Sequence, residues 1–237
     1  MKSIVLGMLL AAGMPAFAAT TYLLTFTNGS KTPLSPSAIY VTEGQTGRAQ
    51  LGQAPSPAFV QLCQMGNAAA RANELRADSR VKFVTSTMGM LMPGQSQTVE
   101  VEVADPAQQS IQFESMYGKT KDVCATAGFN SHSLQALRQH VTTSAVLKDN
   151  AVQTGAFADP AIPAGGSYLD TNICNGLADA TACLRSLSLP TQGTIRSFTP
   201  YLPTVLMLLE AKYGANDLQT LIIPDAGAVQ LELKLKH

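Results

Sequence analysis

Residues Tyr22 to Thr27 alternate apolar and polar side chains with period two, the pattern of a strand with one buried face. Ala38 to Thr42 predicts a second, shorter strand. Val81 to Met92 reads as a longer strand-like run that stops at Pro93-Gly94, a type II turn signal. Thr98 to Val103, TVEVEV, has the strict alternation of a half-exposed strand, and Ile111 to Met116 is a further one. Ser144 to Leu147 adds a short candidate, and Val229 to Leu235, VQLELKL, predicts the last strand.

Helical signals are fewer. Ser56-Pro57 reads as an N-cap followed by proline at the first helical position, and Phe59, Leu62 and Cys63 then share one face. Gly66-Asn67 stops that helix, and Ala68 to Asp78 follows as a polar helical or irregular stretch. Pro160 to Ser167 is a Pro/Gly-rich loop, while Asn175 to Leu187 carries a helical pattern. Thr204 to Tyr213 is apolar enough for a buried helix or strand but too short to cross a bilayer, and Asp225-Ala226-Gly227 turns into the final strand. The pattern predicts a mainly β protein, an antiparallel β-sandwich with a few short helices and a helical insertion in the C-terminal third.

The first eighteen residues carry a separate signal. Lys2 precedes an apolar core from Ile4 to Met14, and Pro15-Ala16-Phe17-Ala18 places small residues at −1 and −3 of a cut between Ala18 and Ala19. The expectation is a signal peptide over 1–18, of bacterial type, and a single domain over 19–237 with an insertion at about 162–226. The chain is therefore expected in the periplasm or outside the cell, with no transmembrane segment after cleavage.

Composition narrows the function classes. Sixteen basic and sixteen acidic side chains balance, and charged residues make up only 14%, so no basic face suited to nucleic acid is expected. Tryptophan is absent and aromatics are few, which weakens an aromatic-lined sugar-binding face.

Cys63, Cys124, Cys174 and Cys183 form an even set behind a signal peptide, which favours disulfides in an oxidising compartment. Four cysteines allow three connectivities. The short-loop argument favours Cys174–Cys183, leaving Cys63–Cys124, since a short loop closes at modest entropic cost. A zinc site lacks CxxC spacing and a nearby histidine.

Several motifs fall in one order: Thr27-Asn28, then Ser35-Pro36, then a helix ending at Gly66-Asn67. Pro93-Gly94 comes before an alternating strand, and Ser115-Met116 before Thr120-Lys121-Asp122. Over about residues 21–160 this order resembles the spondin N-terminal domain family, an extracellular β-sandwich; the stretch from Ile162 to Ala226 has no counterpart in it. The resemblance implies a non-enzymatic adhesion or binding module, partnered by an extracellular or envelope protein or glycan. It also implies a calcium site where loops gather at one end of the sandwich, since calcium takes several carboxylate and carbonyl oxygens. The matching positions are Asp122, Asp149, Asp159 and Gln153. Gln153 stands where the family carries a glutamate, and Lys121 and Lys148 each precede a proposed ligand. The competing reading is that these aspartates make ordinary turns.

Two other function classes have candidate residues. Met88, Met90 and Met92 alternate, so on a strand their thioethers would project from one face, as in exported copper-handling proteins. The plainer expectation is that they fill the inward face of a strand. For catalysis, no GxSxG or phosphate-cradling glycine loop occurs, and His132 and His140 lack the spacing of a two-His metal pair. His237 is terminal and expected to be mobile. Glu100 and Glu102 read as the solvated face of a strand, while Glu210 and Asp217 have no catalytic context. The expectation is no enzyme, but a binding module with a cation site. The alternatives are a structural envelope protein without metal and a periplasmic methionine-rich copper-binding protein.

Overall fold

The computed structural model describes residues 19–30, 33–44, 49–50, 52–117, 123–147, 152–155, 195–197 and 229–237. Among the described residues, ten strands form two antiparallel sheets. The first has the order β4-β1-β10-β7 and the second β3-β2-β5-β6-β8-β9. In chain order the strands are β1 Thr20–Asn28, β2 Ala38–Glu43, β3 Val81–Ser86, β4 Ser96–Val103 and β5 Gln109–Met116. They continue as β6 Val123–Phe129, β7 Ala145–Leu147, β8 Val152–Gly155, β9 Arg196–Ser197 and β10 Val229–Leu235. Among the described residues three helices accompany them: α1 Pro57–Met65, α2 Ala68–Arg76 and α3 Ser131–Arg138. The expected β-sandwich with short helices is the observed architecture.

Alternation sets the first layer. Tyr22, Leu24 and Phe26 of β1 are fully buried while the residues between them are half-exposed. Phe26 meets Phe113 of β5 across the two sheets, with ring centroids 5.0 Å apart. The register pairs β1 with both β4 and β10, so the first predicted strand and the last one are neighbours at the centre of one sheet.

β5 is buried on both faces, because it lies between the first sheet and the helices. Its Phe113 faces the sandwich core. On the other face, Glu114 and Met116 lie beneath α1 and α2, where Phe59, Leu62, Cys63, Ala68 and Cys124 form a second apolar cluster. Ser56 caps α1 by accepting the Phe59 N–H at 3.2 Å, and Gly66 closes it with φ 68°. The capping and glycine stop expected from sequence are both present.

Three departures matter. The Val81–Met92 run is not one strand: β3 ends at Ser86, and Gly89 at φ 78° sits in the connection that follows. β6 and α3 form where no regular element was expected. The described part of the 162–226 region, residues 195–197, holds β9, which pairs with β8; the helical pattern over 175–187 lies outside the described residues, as do the leader 1–18 and Thr204–Tyr213.

Candidate functional site

The motifs that order the chain meet in space. Asn28, fully buried at the end of β1, donates its side-chain amide to the Leu91 carbonyl at 2.8 Å. Its backbone carbonyl accepts from Gly94 at 2.7 Å, its N–H donates to the Gln95 carbonyl at 2.9 Å, and its Oδ1 accepts the Ser30 N–H at 2.9 Å. Ser35 pairs with the end of β5: its N–H donates to the Met116 carbonyl at 2.8 Å, and its Oγ accepts the Met116 N–H at 3.0 Å. Ser115 Oγ donates to the Ser35 carbonyl at 3.0 Å. Gly66 packs so closely on Ser35 that a Cβ there would stand 2.8 Å from the serine Cβ. Leu34 bridges Leu91 on one side and Tyr117 on the other. Asn28, Ser35, Gly66, Gly94 and Met116 thus form one interlocked end of the sandwich.

A second polar centre lies under α1 and α2. Arg71, 4% exposed, grips Glu114 with two hydrogen bonds, Nε to Oε2 at 2.7 Å and Nη2 to Oε1 at 3.0 Å. Its Nη1 also donates to Ser56 Oγ at 3.1 Å and to Glu74. Phe59 lies under the guanidinium, 5.4 Å from its ring centre. Tyr40 completes the group by donating to Glu114 Oε1 at 2.7 Å. Burial alone would lower the Arg71 pKa, but the Glu114 charge and hydrogen bond outweigh it and raise it. Tyr40 is raised well above its ordinary value, first by burial and then by the Glu114 charge. A cleft of about 210 Å³ opens beside this centre, lined by Gln53, Ser56, Phe59, Arg71, Glu74 and Ile195. Arg71 enters that cleft with its guanidinium already committed to Glu114, Glu74 and Ser56. The arrangement holds two helices to a sheet.

The Cys63–Cys124 disulfide ties α1 to β6, with Cα atoms 5.3 Å apart. Cys174 and Cys183 lie outside the described residues. So do Asp122, Asp149 and Asp159, with Lys121, Lys148, Glu210 and Asp217. Gln153 lies in β8, in register with Ala125 of β6. Among the described residues no three His, Cys, Asp or Glu side chains are grouped as a metal site. No helix among the described residues is long and apolar enough to cross a membrane.

The methionine expectation is overturned. Met88, Met90 and Met92 do not fill the inward face of a strand: they lie in the connection between β3 and β4 and are 92%, 63% and 46% exposed. Gly89 breaks the extended run after Met88, and Leu91 takes the buried position instead. The His237 ring stacks on that of His140, with centroids 5.9 Å apart. Glu100 and Glu102 are exposed on β4 as expected, and Lys236 reaches Glu100 at 2.6 Å.

Sequence reading missed the Arg71–Glu114 centre. Arg71 flanked by alanines in AAARANELR, and a lone glutamate in the apolar SIQFESM strand, are the signals that could have found it. Comparison with protein-family models and with curated proteins gives no match for this chain.

Proposed function

We propose that this protein is an exported binding module of spondin-like type, acting by recognition and not by chemistry, with calcium ordering the loops beside β6 and β8. The observation that carries this reading is the pairing of those two strands. Val123, which directly follows Asp122, is in register with Gly155, and Asp159 lies four residues beyond that glycine. Asp149 leads instead into Val152, which pairs with Thr126 three positions along the ladder. The register therefore favours Asp122 with Asp159 as the principal carboxylates, and Asp149 as the less favoured member of the set. A hard cation held by two carboxylates and loop carbonyls would fix the loops that present a surface to an extracellular or envelope protein or glycan.

The internal use of the Arg71–Glu114 centre supports a scaffold role for the sandwich itself. Calorimetric titration of chelator-treated protein with calcium tests the reading. Saturable heat and a raised melting temperature are expected, both lost in Asp122→Asn and Asp159→Asn. No heat and no melting shift would remove the cation and leave the structural envelope reading.

A further inference from the structure

Methionine is among the residues most often buried in folded proteins. Here four of the five described methionines are exposed: Met65 at 66%, with Met88, Met90 and Met92, while Met116 alone is buried. All four stand around the interlocked end. Met65 is the last residue of α1, directly before the Gly66 that packs on Ser35. Leu34, beside Ser35, bridges Leu91 in the middle of the other three.

Their exposure is held in place by the backbone. Thr87 N–H donates to the Ser37 carbonyl at 3.0 Å, and Leu34 and Leu91 exchange both N–H···O bonds at 2.9 and 3.0 Å. Asn28 holds the Leu91 carbonyl, and Met92 N–H donates to Gln95 Oε1 at 2.9 Å. Leu91, 8% exposed, anchors the segment inward, so alternation sends Met90 and Met92 outward on its opposite face. Residues two apart on an extended chain rise about 7 Å, a span that two methionine side chains can close onto one ion. From Thr87 to Gln95 there is no charged side chain to repel a cation or offer a hard ligand.

Thioether sulfur is a soft, neutral donor that discriminates against calcium and magnesium and favours Cu(I). We propose that Met88, Met90 and Met92 form a Cu(I)-binding site on the β3–β4 connection, with Met65 as a neighbouring donor. Binding is coordination alone: Cu(I) arrives and leaves as Cu(I), and no proton is displaced because the ligands carry none. Affinity should therefore stay level across the pH range in which imidazole and thiol sites lose metal. This site is separate from the calcium reading and stands or falls without it.

The test uses the full chain, with any free thiols alkylated, under anaerobic conditions. Cu(I) is supplied as its acetonitrile complex against a chromophoric Cu(I) chelator, and Ag(I) serves as a redox-inert probe for methionine methyl resonances. The expected result is one ion held per chain, level retention from mildly acidic to neutral pH, and shifted methyl signals for Met88, Met90 and Met92 but not Met116. The triple variant M88L/M90L/M92L keeps the apolar surface and lies outside the core, so it should fold as the parent does and lose the bound ion. Retention of copper by that variant, or no copper bound by the parent, would overturn the site. The second result would leave an apolar docking loop as the occupant of this end.

Discussion

The side-chain amide of Asn28 donates to the backbone carbonyl of Leu91 across 63 residues of chain, at 2.8 Å and fully buried. That bond, with the Asn28 contacts to Gly94 and Gln95, fixes the β3–β4 connection to the end of β1. Asparagine suits the position because one planar amide both donates outward and accepts the Ser30 N–H. Asn28→Ala should destabilise the fold by about 1–3 kcal/mol, since it removes the amide donor to the Leu91 carbonyl, which keeps the Leu34 N–H, and the side-chain acceptor of the Ser30 N–H. Asn28→Asp should be nearly as damaging, because a carboxylate turns an acceptor towards the Leu91 carbonyl. Urea unfolding checks both, and a loss below about 0.5 kcal/mol would show that the connection holds itself.

Much of this end was legible in the sequence. The Asn28, Ser35, Gly66 and Pro93-Gly94 positions were marked by turn and cap chemistry, and Gly94 at φ 77° with a Gln95 N–H to Met92 carbonyl bond of 3.0 Å realises the expected turn. What pattern reading could not supply was the partner of each. β6, VCATAGF, escaped for a physical reason: the strand signal of Val123, Thr126 and Phe129 is diluted by the small residues Cys124, Ala125, Ala127 and Gly128 between them. They are small because the strand is crowded, and a Cβ on Gly128 would stand 2.4 Å from Gln112 Oε1 and 2.5 Å from the Ile111 carbonyl. α3 escaped because it is short and mostly polar, with only Leu134 and Leu137 buried. The methionines misled because alternation within Val81–Met92 is the same whether the backbone stays in the strand or leaves it after Ser86. For the candidate site, sequence supplied the acidic positions, and Asp122, Asp149 and Asp159 lie outside the described residues.

The Arg71–Glu114 pair should behave as a unit. Arg71→Met leaves the buried Glu114 carboxylate without its ion pair and should destabilise by about 3–5 kcal/mol, while Glu114→Gln should cost less, because Arg71 keeps Glu74. The double variant R71M/E114M should lose less than the sum, because no charge is then left buried and alone. Tyr40→Phe, which removes one hydrogen bond to Glu114, should lose about 1 kcal/mol. A double-mutant cycle by chemical denaturation reads the coupling, and strict additivity would contradict the geometry.

The Cys63–Cys124 bridge closes a loop with a sequence separation of 61. The chain-entropy account assigns such a bridge about 4 kcal/mol, with engineered and native cases scattering around it. Because Cys63 and Cys124 also sit in the apolar cluster beneath α1, C63A/C124A loses buried sulfur contacts as well. Reduction without mutation should lower the melting temperature, and protease cleavage should then begin near α1. Equal melting of oxidised and reduced protein would show that burial alone secures the helix.

Alkali should unfold this protein through its buried phenols. Burial pushes Tyr22 up to about 12 from an ordinary 10.0, with Arg138 opposing the rise, and burial raises Tyr40 and Tyr117 as well. In each case the folded state holds its proton more tightly than the unfolded chain. The resulting stability is fully present below about pH 10 and is lost as pH rises towards 12, because the unfolded state ionises first. Tyr22 also donates to the Leu134 carbonyl at 3.0 Å, so ionisation removes the bond that holds α3 to β1. Phenolate absorbance should therefore lag behind that of free tyrosine and then rise together with unfolding. Tyr22→Phe should lose about 1 kcal/mol at neutral pH and show a shallower decline above pH 10. A parent protein whose stability stays level from pH 10 to 12 would contradict the burial of these three rings.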